Sequence, residues 1–206
     1  EHMIEIVAEA YDALTEKYLE TGELTEEEIL DGLRVGTMRN TFTPVLCGSA
    51  TLNVGVRQLL GAVCDFLPSP LDRTKAVGTN PKNNDLLERG PDEKEPFSAL
   101  VFKTTSDPYT GKITIFRIYS GTLNSDSTIY NASKGVEERI GQIYELEGKK
   151  QKPLKQAFAG DIVAVAKLKE TVTGDTLCDP ASPIVYEPAK QLLPVISYAI
   201  EPKTKA

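Results

Sequence analysis

Two rhythms of apolar residues divide this chain. From Ile4, the positions Val7, Ala8, Tyr11, Leu14 and Tyr18 recur every three or four residues with acids opposite, which predicts one amphipathic helix ended by Gly22. Thr25-Glu26-Glu27-Glu28 has the form of a capping box, in which the Thr25 hydroxyl accepts the Glu28 amide and the Glu28 carboxylate reaches back. It predicts a second helix to about Met38, with Ile29, Leu30 and Leu33 facing inward. Phe42 to Cys47 reads as a short strand running into Gly48-Ser49-Ala50. Val54, Val56, Leu59, Leu60, Val63 and Phe66 then predict a further amphipathic helix, stopped by Pro68 and Pro70. One strand among three helices would leave its ladder groups unpaired, so residues 1–66 read as the tail of an α/β domain whose sheet lies upstream.

From Pro96 the period changes to two. Ser98 to Lys103 and Lys112 to Tyr119 alternate apolar and polar, as half-buried strands do. Thr128-Ile129-Tyr130, Val136 to Leu146, Asp161 to Ala166 and Leu177-Cys178 are further strand candidates, separated by turns rich in Gly, Asp, Asn and Pro. Several short strands with no helical pattern between them predict a small closed antiparallel barrel through the stretch Pro96 to Thr176. Between the two patterns, residues 67–95 carry Pro68, Pro70, Pro81 and Pro91 and polar turn material, and read as an extended linker. Residues 189–206 look like the start of another domain. The fold class expected is therefore multidomain, α/β followed by all-β.

Charge sharpens the division. The net charge of −7 is uneven: residues 1–32 hold eleven acids against Lys17, while residues 33–206 hold 22 bases and 19 acids. The acidity belongs to the N-terminal helices, and the barrel is free to meet a polyanion. Gly148 to Lys155 has four lysines and no acid, a loop suited to phosphates that lacks the aromatics of single-strand stacking. No apolar run reaches membrane-spanning length. Cys47, Cys64 and Cys178 form no CxxC pair, so neither a disulfide framework nor a zinc site is indicated, and a reduced, cytoplasmic setting is the simplest.

Catalytic constellations are sparse. The single histidine, His2, sits at the N-terminal end, so no Cys–His or Ser–His pair can be built. Glu137 and Glu138 point to opposite faces of a strand and cannot share a substrate. There is no GxxxxGK[ST] phosphate cradle.

Five blocks resemble one family: PVLCGSATLNVGVRQLLGAVCDFLPSP, DPYTGKITIFRIYSGTL, GVEERIGQIYEL, AGDIVAVAKLKETVTGDTLCD and PVISYAIEPKTKA are similar, in that order, to bacterial elongation factor G. The resemblance implies that residues 1–66 end a P-loop GTP-binding domain, that 96–188 form the second domain, an elongation factor Tu-like antiparallel β-barrel, and that 189–206 begin the third. It implies a translational GTPase whose intact form binds GTP or GDP with Mg²⁺ and drives tRNA and mRNA translocation on the ribosome. Gly48, Ser49 and Ala50 match the last guanine-binding motif, where amides around Ser49 and Ala50 would donate to the guanine O6. Arg117, Arg139, Lys149 and Lys150 are the expected contacts to small-subunit ribosomal RNA, with Arg117 and Arg139 alternatively salt-bridging at a domain interface. The remaining GTP machinery would lie upstream, so this piece is expected to be inactive alone, to hold no cofactor and no metal, to be monomeric, and to bind neither DNA nor membrane. Leu146 to Lys150, Val165 to Lys169 and Ala189 to Leu193 depart from the main family and resemble its divergent elongation factor G-like paralogue. The alternative is a non-catalytic RNA- or ribosome-binding module.

Overall fold

A computed structural model describes residues 2–107, 111–148, 150–188, 196–199 and 203. It divides into two units, residues 1–73 and 74–206.

The first unit is helical. Its helices are α1 (His2–Ala8), α2 (Asp12–Thr21), α3 (Glu26–Arg39) and α4 (Val56–Phe66). The sequence pattern predicted one helix where α1 and α2 stand. The break comes at a tight turn in which Ala10 N donates to Val7 O at 3.0 Å, and the Thr15 hydroxyl bonds back to Ala8 O at 2.8 Å. The kink lets Val7 and Leu14, both buried, converge on one spot of α3. That spot is Gly32: a Cβ there would lie 2.5 Å from Val7 Cγ1 and 2.9 Å from Leu14 Cδ2. The buried positions of α3 are therefore Gly32 and Gly36, the latter beneath the Phe42 ring, and not the larger Ile29, Leu30 and Leu33. Close approach of two helices needs small residues at the crossing, which apolar periodicity alone does not reveal.

The capping box forms as read. Thr25 Oγ1 accepts from Glu28 N at 3.4 Å, and Glu28 Oε2 accepts from Thr25 N at 2.9 Å. The Lys17 ammonium, then the Thr25 amide and hydroxyl, hold the Glu28 carboxyl down at about 2. Residues 43–48 form no strand; a single bridge joins Ser49 to Val54. Arg34 donates to Asp65 O and to Asp72 Oδ2, both at 2.8 Å, tying α3 to the last turn of α4 and to the segment that follows it.

The second unit is all antiparallel. Strands β1 (Ala76–Thr79) and β2 (Leu86–Arg89) form a hairpin. Eight of the remaining strands are β3 (Ser98–Asp107), β4 (Gly111–Ser120), β6 (Thr128–Asn131), β7 (Val136–Arg139), β8 (Ile143–Glu147), β9 (Lys150–Leu154), β11 (Ile162–Ala166) and β12 (Thr176–Cys178). They make one sheet in the order β7-β6-β12-β3-β4-β11-β8-β9. A short pair, β5 (Thr122–Asn124) with β10 (Gln156–Phe158), accompanies it. The last strand, β13 (Val185–Tyr186), pairs with β1, giving a separate sheet ordered β13-β1-β2. Residues 74–95, expected within an extended linker, thus contribute two strands of a folded sheet, because residues 185–186 return to pair with them.

Inward alternation builds the core. Val101, Phe116, Ile118, Ile140, Ile143, Val163, Val165 and Leu177 are buried together. A second cluster, Ala132, Cys178, Ile184 and Tyr186 with Leu100 and Tyr119 beside it, lies under the small sheet. There the Ser98 hydroxyl bonds to Tyr186 Oη at 2.7 Å, and burial pushes the Tyr186 phenol up to about 12. Val136 to Leu146 is two strands, not one, broken at Ile140–Gln142 where Ile140 turns into the core and its amide bonds Ser127 O. The expected third-domain start lies outside the described residues, apart from 196–199 and 203.

Candidate functional site

The nucleotide-motif residues stand on a loop pinned by one bridge. Ser49 N donates to Val54 O at 2.9 Å and Val54 N returns to Ser49 O at 3.0 Å. A Cβ on Gly48 would lie 2.9 Å from Val54 O, and one on Gly55 would lie 2.9 Å from Cys47 O; Gly55 also has φ +78°. Both glycines are therefore needed for the two backbone segments to approach. The motif implies donation from the amides around both Ser49 and Ala50. The Ser49 amide is consumed by the bridge, and among the described residues only the Ala50 amide of the two has no acceptor. The loop and the start of α4 enclose a cleft of about 250 Å³ lined by Leu46, Cys47, Gly48, Ser49, Ala50 and Leu59 among others. That is smaller than a typical small-molecule site of ~300–1,000 Å³.

The described cations of the expected RNA contact stand on three different strands. Arg117 lies near the middle of β4, half-buried; Arg139 is exposed at the end of β7; Lys150 is exposed at the start of β9. Strands β7 and β9 are the two ends of the sheet order. Lys149 lies outside the described residues. The lysine-rich segment, expected as a loop without acids, is the second arm of the β8–β9 hairpin. Its acids come from the opposite arm: Lys152 pairs with Glu145 at 3.1 Å and Glu147 at 4.0 Å, and Lys150 stands across from Glu147. A charge count along the chain could not see cross-strand neutralisation.

Glu138 is the residue whose role the sequence reading missed. Its partner Glu137 is exposed and Glu138 is buried, as strand alternation demands. The Glu138 carboxylate accepts from the amides of Lys169, Glu170 and Thr171 at 2.6, 3.0 and 3.0 Å, and from the Thr171 hydroxyl. Burial works to raise its pKa, yet these donors outweigh it and hold the carboxyl below its ordinary value. Asn131 donates to Thr171 Oγ1 at 3.1 Å and to Asp175 Oδ2 at 2.9 Å, and Lys134 pairs with Asp175 at 3.6 Å. The 167–175 turn is thus fixed by buried polar bonds. The legible signal was an inward-phased acid in a strand, which must find donors.

Among the described residues no group of three or more His, Cys, Asp or Glu side chains could hold a metal ion. No helix of the described residues is long and apolar enough to cross a membrane.

Residues 96–180 match the family model of elongation factor G domain 2. The chain is also similar to a crystal structure from Thermus thermophilus, with a TM-score of 0.64 and 27% identity, over 87% of this chain and 24% of that one. It therefore spans about a quarter of the length of that protein. Residues 96–180, most of the antiparallel unit, are thus similar to elongation factor G domain 2.

Proposed function

We propose that the chain is part of a ribosome-dependent GTP hydrolase that couples GTP hydrolysis to movement of tRNA and mRNA. Residues 1–66 supply the last guanine-binding motif, with the Ala50 amide as the donor to the guanine O6. Residues 96–188 supply the barrel that meets ribosomal RNA, with Arg139, Lys149 and Lys150 toward phosphate. The observation that carries the nucleotide reading is the bridge from Ser49 to Val54, which turns the loop back and leaves the adjacent Ala50 amide without an acceptor. A fixed, unpaired amide is a good donor for a carbonyl acceptor. The phosphate loop, the Mg²⁺-binding switches and the Asn-Lys-x-Asp motif belong to the parent's upstream segments. The departures at Leu146 to Lys150 and Val165 to Lys169 favour the elongation factor G-like paralogue as the parent.

Titrating the 206-residue chain with a fluorescent GTP analogue should give no saturable signal, whereas a parent carrying the upstream motifs should bind it. In that parent, GTP should be preferred over 2-aminopurine riboside triphosphate, which lacks the O6 acceptor. Ala50→Pro, which removes the amide, should shrink that preference while leaving the weaker nucleotide's affinity close to unchanged. An undiminished preference would overturn the Ala50 assignment.

A further inference from the structure

Arg117 occupies a position that neither the core nor the proposed GTPase role accounts for. Its Nε is buried without an acceptor, and among the described residues no hydrogen bond or ion pair reaches its guanidinium. Arg89 offers the contrast: its Nε is likewise unpaired, but its guanidinium donates to Ser182 Oγ at 2.6 Å. The Arg117 guanidinium lies 5.9 Å from the Tyr119 ring centroid, and that ring packs on Tyr186 at 5.1 Å. The cation is held in place but not neutralised.

Its surroundings are set by two irregularities in the β3–β4 ladder. Ser98 pairs with Ser120 but Ala99 with Ile118, so Tyr119 is the extra residue of β4; Val101 pairs with Phe116 but Lys103 with Ile115, so Phe102 is the extra residue of β3. Bulges re-aim side chains, and here one adds an aromatic to the strand that carries Arg117 and the other adds one to the strand paired with it. Across the sheet, Leu100 and Ile162 flank Arg117 in one row, while Lys103, Ile115, Ala164 and Tyr144 form the next. Phe102 is 46% exposed and Ile162 is 55% exposed. Neither row contains an acid.

We infer that this outer face of β3, β4 and β11 is a docking site for a protein segment that presents a carboxylate between apolar residues. The carboxylate meets the Arg117 fork and its neighbours cover Phe102 and Ile162. The charge is complementary: two cations, no acid, and a guanidinium edge lacking an acceptor. Arginine, aromatic and aliphatic residues around one desolvated cation match the core of a protein interface, whereas a phosphate-reading surface spreads many cations over its area. This inference goes beyond the GTPase reading and stands without it.

The test is selection of displayed random dodecapeptides on the 206-residue chain, with (U)12 RNA titrated in parallel. Enriched peptides should carry Asp or Glu flanked by apolar residues. They should bind Arg117→Gln and Ile162→Asp at least tenfold more weakly than the wild type, and Arg117→Lys to an intermediate degree. Ile162 is already more than half exposed, and urea midpoints of both variants matching the wild type show that lost binding is not lost folding. Enrichment indifferent to both changes would overturn the inference. So would (U)12 binding that falls tenfold in Arg117→Gln, which would make the face a nucleic-acid surface, or self-association that depends on Arg117, which would make it a contact between copies.

Discussion

The two units differ in how far each satisfies itself. In the antiparallel unit, the large apolar residues of both clusters are buried and several inward polar groups find partners: Glu138 on the 169–171 amides, Asn131 on Thr171 and Asp175, Ser98 on Tyr186. In the helical unit, α1, α2 and α3 share a small core at Val7, Leu14 and Gly32, but α4 buries no residue at all. Leu59, Leu60 and Val63 on α4 are 50%, 62% and 45% exposed, and the strand-like residues 43–48 have no ladder. The lesson concerns where amphipathic sequence finds its partner. A period-2 segment pairs with the neighbouring hairpin, whereas the apolar face of α4 stays exposed within the first unit.

The strongest way to break this comparison is to truncate one apolar side chain in each unit. Phe116→Ala should destabilise the antiparallel unit by about 3–5 kcal/mol, the usual cost of emptying a core aromatic. Leu60→Ala should change stability by less than about 0.5 kcal/mol, as exposed positions do. Hydrogen exchange resolved by residue, with urea titration, checks both. A large effect at Leu60 would mean that the α4 face is already partnered.

A smaller effect is expected from Glu138→Gln, which removes the charge that gathers the 169–171 turn. Leaving those amides poorly satisfied should cost about 1–3 kcal/mol and raise exchange at Lys169, Glu170 and Thr171. The pH dependence has a definite sign. Because the folded carboxyl titrates below its ordinary value, its stabilisation is complete above the unfolded pKa of about 4.3 and is lost as pH falls through the folded value. The wild type should therefore lose stability below about pH 4 more steeply than Glu138→Gln, and equal slopes in urea midpoints from about pH 7 to about pH 3 would remove Glu138 from this role.

The smallest effect sharpens the helical side. Thr25→Ala deletes the hydroxyl half of the capping box and should cost about 1 kcal/mol, read as faster amide exchange in the first turn of α3. No change there would show that Glu28 and Lys17 alone fix that end.

Much was legible from the residues alone. Thr25 and Glu28 are three residues apart, so a local rule sufficed for their box, and inward alternation through β4 and β11 follows from the pleat. Other features depend on residues that are distant in sequence. Gly32 and Gly36 are invisible to an apolar count, yet they are where α3 meets Val7, Leu14 and Phe42. The 74–95 stretch looks like a linker until Tyr186 and Val185 arrive to pair with Gly78 and Thr79. The lysines of β9 look unopposed until β8 sets Glu145 and Glu147 beside them.

The same holds for the candidate sites. By itself, the sequence determined the motif Gly48-Ser49-Ala50, the antiparallel character of the second unit, and the phase that sends Glu138 inward and Glu137 out. Only the tertiary structure decided that the Ser49 amide is spent on Val54, that Arg117 lies without an acceptor beside Tyr119, and that Arg139 and Lys150 stand on the first and last strands of the sheet order. The physical reason is range. Capping, turns and alternation are settled within a few residues, whereas the partner of an amide or a guanidinium is whichever atom the fold brings within hydrogen-bond distance.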